Sequence, residues 1–400
     1  MSAPRLVLFD DRVARDWRPF SLTRPVGELM FGIGTLRSRA EHALGLECAG
    51  HITAPHLRTY QEPWAPPVLD PEALAHQDGC VFLLSRYVGA PAPLPERPAL
   101  LTAAGRIVGC RIAPGAAPPD PAFFEEPEAH APDLPAHALP GGVLDHVWEL
   151  VSGNAERVGR DLANADHAPL ARDIHHLGDG PVSLGSGVQL APGVVLDTRD
   201  GPIRLDDDVE VLPFTRIVGP SYVGPGSKLL GGPFEAVSIG PVCKVHGEIE
   251  ESVVLGYSNK AHDGFLGHAC LGLWVNLGAL TTNSDLKNNY GPVRMWTPSG
   301  VVDTGQRKLG CLLGDHVKTA IGTMLNTGTV VEVGSNIFGG MPPKYLPPFS
   351  WGDPDVAYGL KPFLATAETV MARRAIDLTE DQRTLLATVW RMARGGADGG

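Results

Sequence analysis

The stretch 205–229, LDDDVEVLPFTRIVGPSYVGPGSKL, places Leu205, Val211, Ile217, Val223 and Leu229 six residues apart. A period of six is neither the 3.6 of a helix nor the 2 of a strand, and a fixed period outranks any local reading. Working outward, aliphatic or near-aliphatic residues keep this register at Leu184, Leu190 and Leu196 on one side. On the other they continue at Ile239 and Val245, then Leu271 and Leu277, then Leu313, Thr319, Leu325, Val331 and Ile337. Four residues after most of these stands a second small or β-branched residue, as at Val209, Thr215, Ser221, Ser227, Cys243, Val317 and Ser335. Two inward positions per hexad with Gly and Pro at the corners describe a parallel β-helix whose flat faces are each one hexad long.

The repeat is interrupted between 278 and 311, where polar residues surround Tyr290 and Trp296. A solenoid tolerates such an insertion as a loop on one face, and long loops in compact domains are commonly functional. The expectation is that this loop needs a neighbouring subunit to pack against. After Ile337 the prolines of 341–352, MPPKYLPPFSWG, end the solenoid, and 378–394, LTEDQRTLLATVWRMAR, reads as a helix with a Thr379–Gln382 capping box. Upstream, the strand pattern RLVLF (5–9) and the helix pattern around 34–45 read as α/β. Residues 89–141 are rich in Pro and Ala and predict extended loop around one strand at 105–113, and 142–163 predicts a helical connector. The predicted domains are therefore 1–165, α/β with Pro/Ala-rich loops at 89–141; 166–345, β-helix with the insertion 278–311; and 346–400, an extension with a helix.

Bulk composition narrows the function classes. A formal charge of −12 with no basic cluster argues against nucleic acid as a partner. The 43% hydrophobic and 20% charged residues are a soluble globular balance. Six well-spaced cysteines without a C-x-x-C read as buried thiols of a reducing compartment. No signal-peptide pattern and no membrane-length apolar run is present in the sequence, so the expected location is the cytoplasm, with no membrane partner.

The stretch 256–267, GYSNKAHDGFLG, brings Lys260, His262 and Asp263 onto one coil of an otherwise bland repeat. With 256–291, GYSNKAHDGFLGHACLGLWVNLGALTTNSDLKNNYG, and 314–331, GDHVKTAIGTMLNTGTVV, the chain resembles the acetyltransferase half of bifunctional N-acetylglucosamine-1-phosphate uridylyltransferases. Together with 8–29, LFDDRVARDWRPFSLTRPVGEL, it is more closely similar to a bacterial branch of sugar nucleotidyltransferases. The resemblance implies a left-handed β-helix, a homotrimer, an N-terminal nucleotidyltransferase-like domain, and synthesis of amino-sugar nucleotides of the UDP-GlcNAc kind from a sugar phosphate and a nucleoside triphosphate, with acetyl-CoA as co-substrate.

Acetyl transfer from a thioester to an amino sugar needs a base for the ammonium proton and a donor for the tetrahedral oxyanion. His262 is the natural base because imidazole titrates near neutrality. The resemblance assigns Asn276 to the amino sugar, Phe265 to a position where the family has a tyrosine, and Ala279 to the acetyl-binding wall. Arg216, Lys244 and Lys260 are candidates for an acceptor phosphate, although Glu250 and Glu251 stand where the family has paired lysines. Lys287, Tyr290, Lys318 and Thr323 are candidates for coenzyme A. In the N-terminal half, Arg18 and Arg24 are candidate phosphate contacts, and Asp10 and Asp11 candidate ligands of Mg2+, while the glycine-rich turn of such domains is missing. Two classes stay open: a transferase, or a β-helix scaffold or sugar-nucleotide-binding protein whose catalytic residues have drifted.

Overall fold

The computed structural model describes residues 4–71 and 79–395. The hexads form a parallel β-solenoid with three faces of six, nine and nine strands, running from His175–Leu177 to Ser350–Trp351, the third face extended by the antiparallel strand Asp353–Ala357. Register is strict from turn to turn: Leu196 stacks on Ile217, and Leu205 on Val223. The inward aliphatics Leu205, Val211, Ile217, Val223, Leu229, Val245 and Leu277 share one continuous core that ends at Leu346.

The N-terminal unit is a six-stranded mixed sheet in the order Cys48–Ile52, Arg5–Phe9, Cys80–Leu84, Arg106–Ile112, Ala99–Ala103, Ala136–Ala138. Its first three strands are parallel. The Pro/Ala-rich segment supplies three strands where one was expected, because its prolines flank the strands: Ala99–Ala103 and Arg106–Ile112 form a hairpin, and Ala136–Ala138 adds to its edge. The connector also differs. Gly141–Val143 pairs with Tyr87–Gly89 as a strand, and two short helices, Glu149–Ser152 and Asn154–Asp161, meet at Gly153.

The two units share a core of their own. Trp17, Phe20, Phe31, Trp148 and Leu150 pack with Tyr222, Leu255, Leu273 and Trp274 of the solenoid, and with Phe363, Met371, Leu386 and Trp390 of the helices Leu360–Ala372 and Glu380–Ala393. The second helix starts at Thr379, whose side chain and Gln382 complete a capping box. On the edge facing this joint the solenoid turns through left-handed non-glycine residues: Tyr257 (φ 53°), Trp274 (φ 63°), His316 (φ 60°) and Phe349 (φ 57°). Each such residue costs on the order of 1–3 kcal/mol. Burying the rings offsets the strain, as Tyr257 and Trp274 lie 4.5 Å apart and His316 meets Phe363 at 5.7 Å.

The insertion is shorter than the sequence pattern suggested. Thr282–Asn283 still belongs to the solenoid and pairs with Met324–Leu325, so the excursion covers 284–310. It folds into the hairpin Arg294–Thr297/Gly300–Asp303 and has packing contacts within its own chain. Val293 and Met295 are buried in the joint, and Trp296 stacks on Tyr345 at 3.6 Å.

Candidate functional site

His262 lies on the solenoid edge opposite the joint, in the corner between Asn259–Lys260 and Leu266–Gly267. Its imidazole is exposed and borders an open cleft formed by Leu230, His246, Ala261, Asp263, Ala279 and Leu280 from four successive turns. The alanines keep that wall low. His246 is oriented by two neighbours: Nδ1 lies 3.0 Å from the carbonyl of Leu230 and Nε2 2.9 Å from Asp263 Oδ1.

Of the residues expected around His262, Ala279 shares its cleft and Thr323 lies on the next corner, where Gly322 N–H donates to the Ala279 carbonyl. Thr323 itself is buried and its hydroxyl donates to the Ala320 carbonyl. Phe265 is half-buried on the strand side of the corner, against Gly267. Asn276 is elsewhere. It stands on a flat face in a polar ladder and accepts from Asn259 Nδ2 at 3.0 Å, because outward residues of a parallel sheet stack in register. Lys244 and Lys318 occupy the same ladder, and Lys318 donates to the His316 carbonyl at 3.2 Å. Burial pulls the Lys318 ammonium down to about 8. Arg216 is held by Asp197 at 2.7 Å. Lys287 donates to the Pro292 carbonyl within the excursion, where Tyr290 is exposed. Lys260 points inward, away from the cleft.

A cluster that the sequence reading did not single out surrounds His268 on the next corner of the same turn. The imidazole is 2.9 Å from Asp285 and 3.3 Å from Glu251, and Lys308 pairs with Glu250 at 3.1 Å. Burial opposes the imidazolium, but the Asp285 and Glu251 carboxylates outweigh it and raise the pKa to about 9. The sequence signal was two acidic residues at a corner normally given to small ones.

In the N-terminal unit, ligands of open α/β sheets bind beyond the carboxyl ends of the parallel strands. Here that edge holds Asp10, Thr53, Ser85 and Arg86. Asp10 accepts from Ser85 Oγ (2.5 Å), Thr53 Oγ1 (2.5 Å) and Val26 N–H (3.2 Å). Asp11 caps the following helix through Ala14 N–H and receives Arg86 bidentately at 2.9 and 2.6 Å.

Comparison with known proteins agrees with this architecture. Residues 6–168 match the family model described as sugar nucleotidyl transferase. That segment is similar to sugar nucleotidyl transferases. The chain is 34% identical over 119 residues to the bifunctional protein GlmU of Acidithiobacillus ferrooxidans, covering 28% of this chain and 25% of that protein. It is 35% identical over 114 residues to GlmU of Rippkaea orientalis, 26% and 23% of the two chains. It is 29% identical over 93 residues to a bifunctional sugar-1-phosphate nucleotidylyltransferase/acetyltransferase of Sulfurisphaera tokodaii, 23% of each. Each match spans about a quarter of the relative's length.

Within the N-terminal unit the four expected contacts take other roles. Asp10 and Asp11 do not fit Mg2+, since hydrogen-bond donors already claim both carboxylates. Burial also raises the Asp10 pKa, against partial opposition from Ser85, Thr53, His51 and Val26, which disfavours the anion a hard cation requires. Among the described residues no group of three or more His, Cys, Asp or Glu is placed to hold a metal ion. Arg18 and Arg24 reach across to the solenoid instead, Arg18 to Glu332 at 2.8 Å and Arg24 to Asp315 at 2.5 Å. Among the described residues no helix is long and apolar enough to cross a membrane.

Proposed function

We propose that the solenoid transfers an acetyl group from acetyl-CoA to the amine of an amino sugar phosphate, with His262 as general base. The observation that carries this reading is the exposed imidazole set against the low Ala261–Ala279 wall of one cleft. His262 takes a proton from the sugar ammonium, the freed amine attacks the thioester carbonyl and forms the C–N bond, the nitrogen loses its second proton to solvent, the C–S bond breaks, and the leaving thiolate takes the proton held by His262. General base catalysis of this kind contributes roughly 10²–10⁴-fold. The Sulfurisphaera tokodaii relative, named bifunctional sugar-1-phosphate nucleotidylyltransferase/acetyltransferase, supports the assignment.

One edge of a solenoid is too open to enclose both substrates, and the proposed site is completed between subunits of a homotrimer. The edge beside His262 supports this, because Leu280 and Ile321 on successive turns are apolar side chains exposed at 58% and 77%, and exposed apolar surface of this kind marks an association site. Purified protein incubated with acetyl-CoA and a panel of amino sugars, phosphorylated and not, is expected to release free thiol with at least one acceptor. The unphosphorylated arm matters because Lys260 and Arg216 are engaged elsewhere. No release with any acceptor overturns the acyltransferase reading, and a 42.4 kDa species in sedimentation overturns the trimer.

For the N-terminal unit, nucleotidyl transfer is the reading its family suggests, but the saturated carboxyl edge favours a unit that braces the solenoid. Pyrophosphate release from the common nucleoside triphosphates with sugar 1-phosphates and Mg2+ is the test. Background-level release is expected, and turnover on the scale of acetyl transfer would restore the catalytic reading.

A further inference from the structure

Lys260 occupies a position that the other turns give to aliphatic residues or, once, to Thr319. Leu229 stacks on Val245 and Val245 on Lys260, while the Asn259–Asn276 pair places Leu277 on its other side. Lys260 is only 3% exposed. A buried ammonium costs free energy unless it is hydrogen-bonded, so its partners explain its presence. Nζ donates to the His246 carbonyl at 2.8 Å and to the His262 carbonyl at 2.9 Å.

Those carbonyls exist because of the corner's shape. The preceding corner, from Val245 to Ile249, spans three residues, 246–248, whereas that from Lys260 to Leu266 spans five, 261–265. The longer corner lifts His262 out of the ladder and turns its carbonyl inward without a strand partner. Buried carbonyls are nearly always satisfied, and Lys260 satisfies this one together with the carbonyl directly across the turn. The opposite wall is fitted to it: a Cβ at Gly247, where φ is +87°, would lie 3.0 Å from Nζ.

We propose that Lys260 is the positioning residue of the acetyl-transfer site, tying the His262 corner to the preceding turn through the main chain so that the imidazole is held in one place over the cleft. This rests on His262 being the general base. Lys260 does not contact the acceptor. Burial lowers its pKa to about 8, partly opposed by Asp263, as for an ammonium turned from solvent rather than one offered to a phosphate.

The test uses Lys260→Met, which keeps the stem and removes the ammonium, and Lys260→Leu, which copies Leu277. In both, hydrogen exchange at 261–265 is expected to accelerate about ten-fold or more while the rest of the solenoid is unchanged. With acetyl-CoA and the best acceptor, kcat is expected to fall roughly 10–100-fold with KM little altered, the signature of a misplaced group rather than a lost contact. A rise in KM confined to phosphorylated acceptors, with kcat intact, would overturn the proposal and make Lys260 an anion contact. Unchanged exchange and unchanged kcat would also overturn it, as would loss of the whole fold in both variants, which would place Lys260 in support of the core. If the wild-type protein acetylates nothing, the acyltransferase reading fails by itself, and exchange at 261–265 still decides whether Lys260 holds the corner.

Discussion

Arg24 of the N-terminal unit lies 2.5 Å from Asp315 of the solenoid, with both side chains almost wholly buried. The same carboxylate accepts from Thr23 Oγ1 at 2.7 Å, its other oxygen accepts from Leu273 N–H at 2.7 Å, and Glu62 meets Arg24 at 3.2 Å. One guanidinium thus joins the two units to the turn that continues into Asn276. Burial raises the Glu62 pKa and Arg24 partly opposes it. Removing the cation would leave two buried carboxylates without their counter-charge, so Arg24→Met is expected to cost about 3–5 kcal/mol. Denaturant unfolding should show it, and a loss below about 1 kcal/mol would mean that water replaces the guanidinium.

His262→Ala should separate chemistry from folding. The side chain is exposed and the inward hexads do not use it, so the melting temperature should hold. Acetyl transfer should fall roughly 10²–10⁴-fold. Unchanged turnover would move the base to His246, the other imidazole of the cleft.

The Glu251–His268–Asp285 cluster predicts a loss of stability in mild alkali. The folded-state pKa of His268, about 9, lies above its ordinary 6.5, so folding favours the protonated ring. That contribution is complete below about pH 6.5 and disappears as the pH rises through 9. Unfolding free energies measured between pH 6 and 10 should decline across this window, and the decline should shrink in His268→Gln. A wild-type curve that stays flat there would show that the ring is neutral in the fold.

The Asn259–Asn276 contact predicts a coupled pair. Each single alanine substitution should cost about 1 kcal/mol, the ordinary net worth of a hydrogen bond. Because the two amides serve each other, the double variant should cost less than the sum, which a double-mutant cycle measures directly. Strict additivity, with lost acetyl transfer in Asn276→Ala alone, would return Asn276 to the substrate.

Period-six spacing determined the solenoid by itself, because inward positions of a β-helix recur whatever lies around them, and Leu205, Val211 and Ile217 occupy them as read. The Thr379–Gln382 cap was legible for the same reason: both partners lie within one turn. His262 was also visible locally, as an imidazole on a corner. Tertiary structure decided what depends on partners distant in sequence. Arg24 looked like a phosphate ligand until Asp315, 291 residues away, claimed it, and Asp10 looked like a metal ligand until Ser85, Thr53 and Val26 were found donating to its two oxygens. Lys260 follows the same logic. Its place in the sequence two residues before His262 suggested a substrate contact, but Lys260 ends its strand next to outward Asn259, neighbours in a strand face opposite sides, and only the register with Val245 shows that Lys260 takes the inward one.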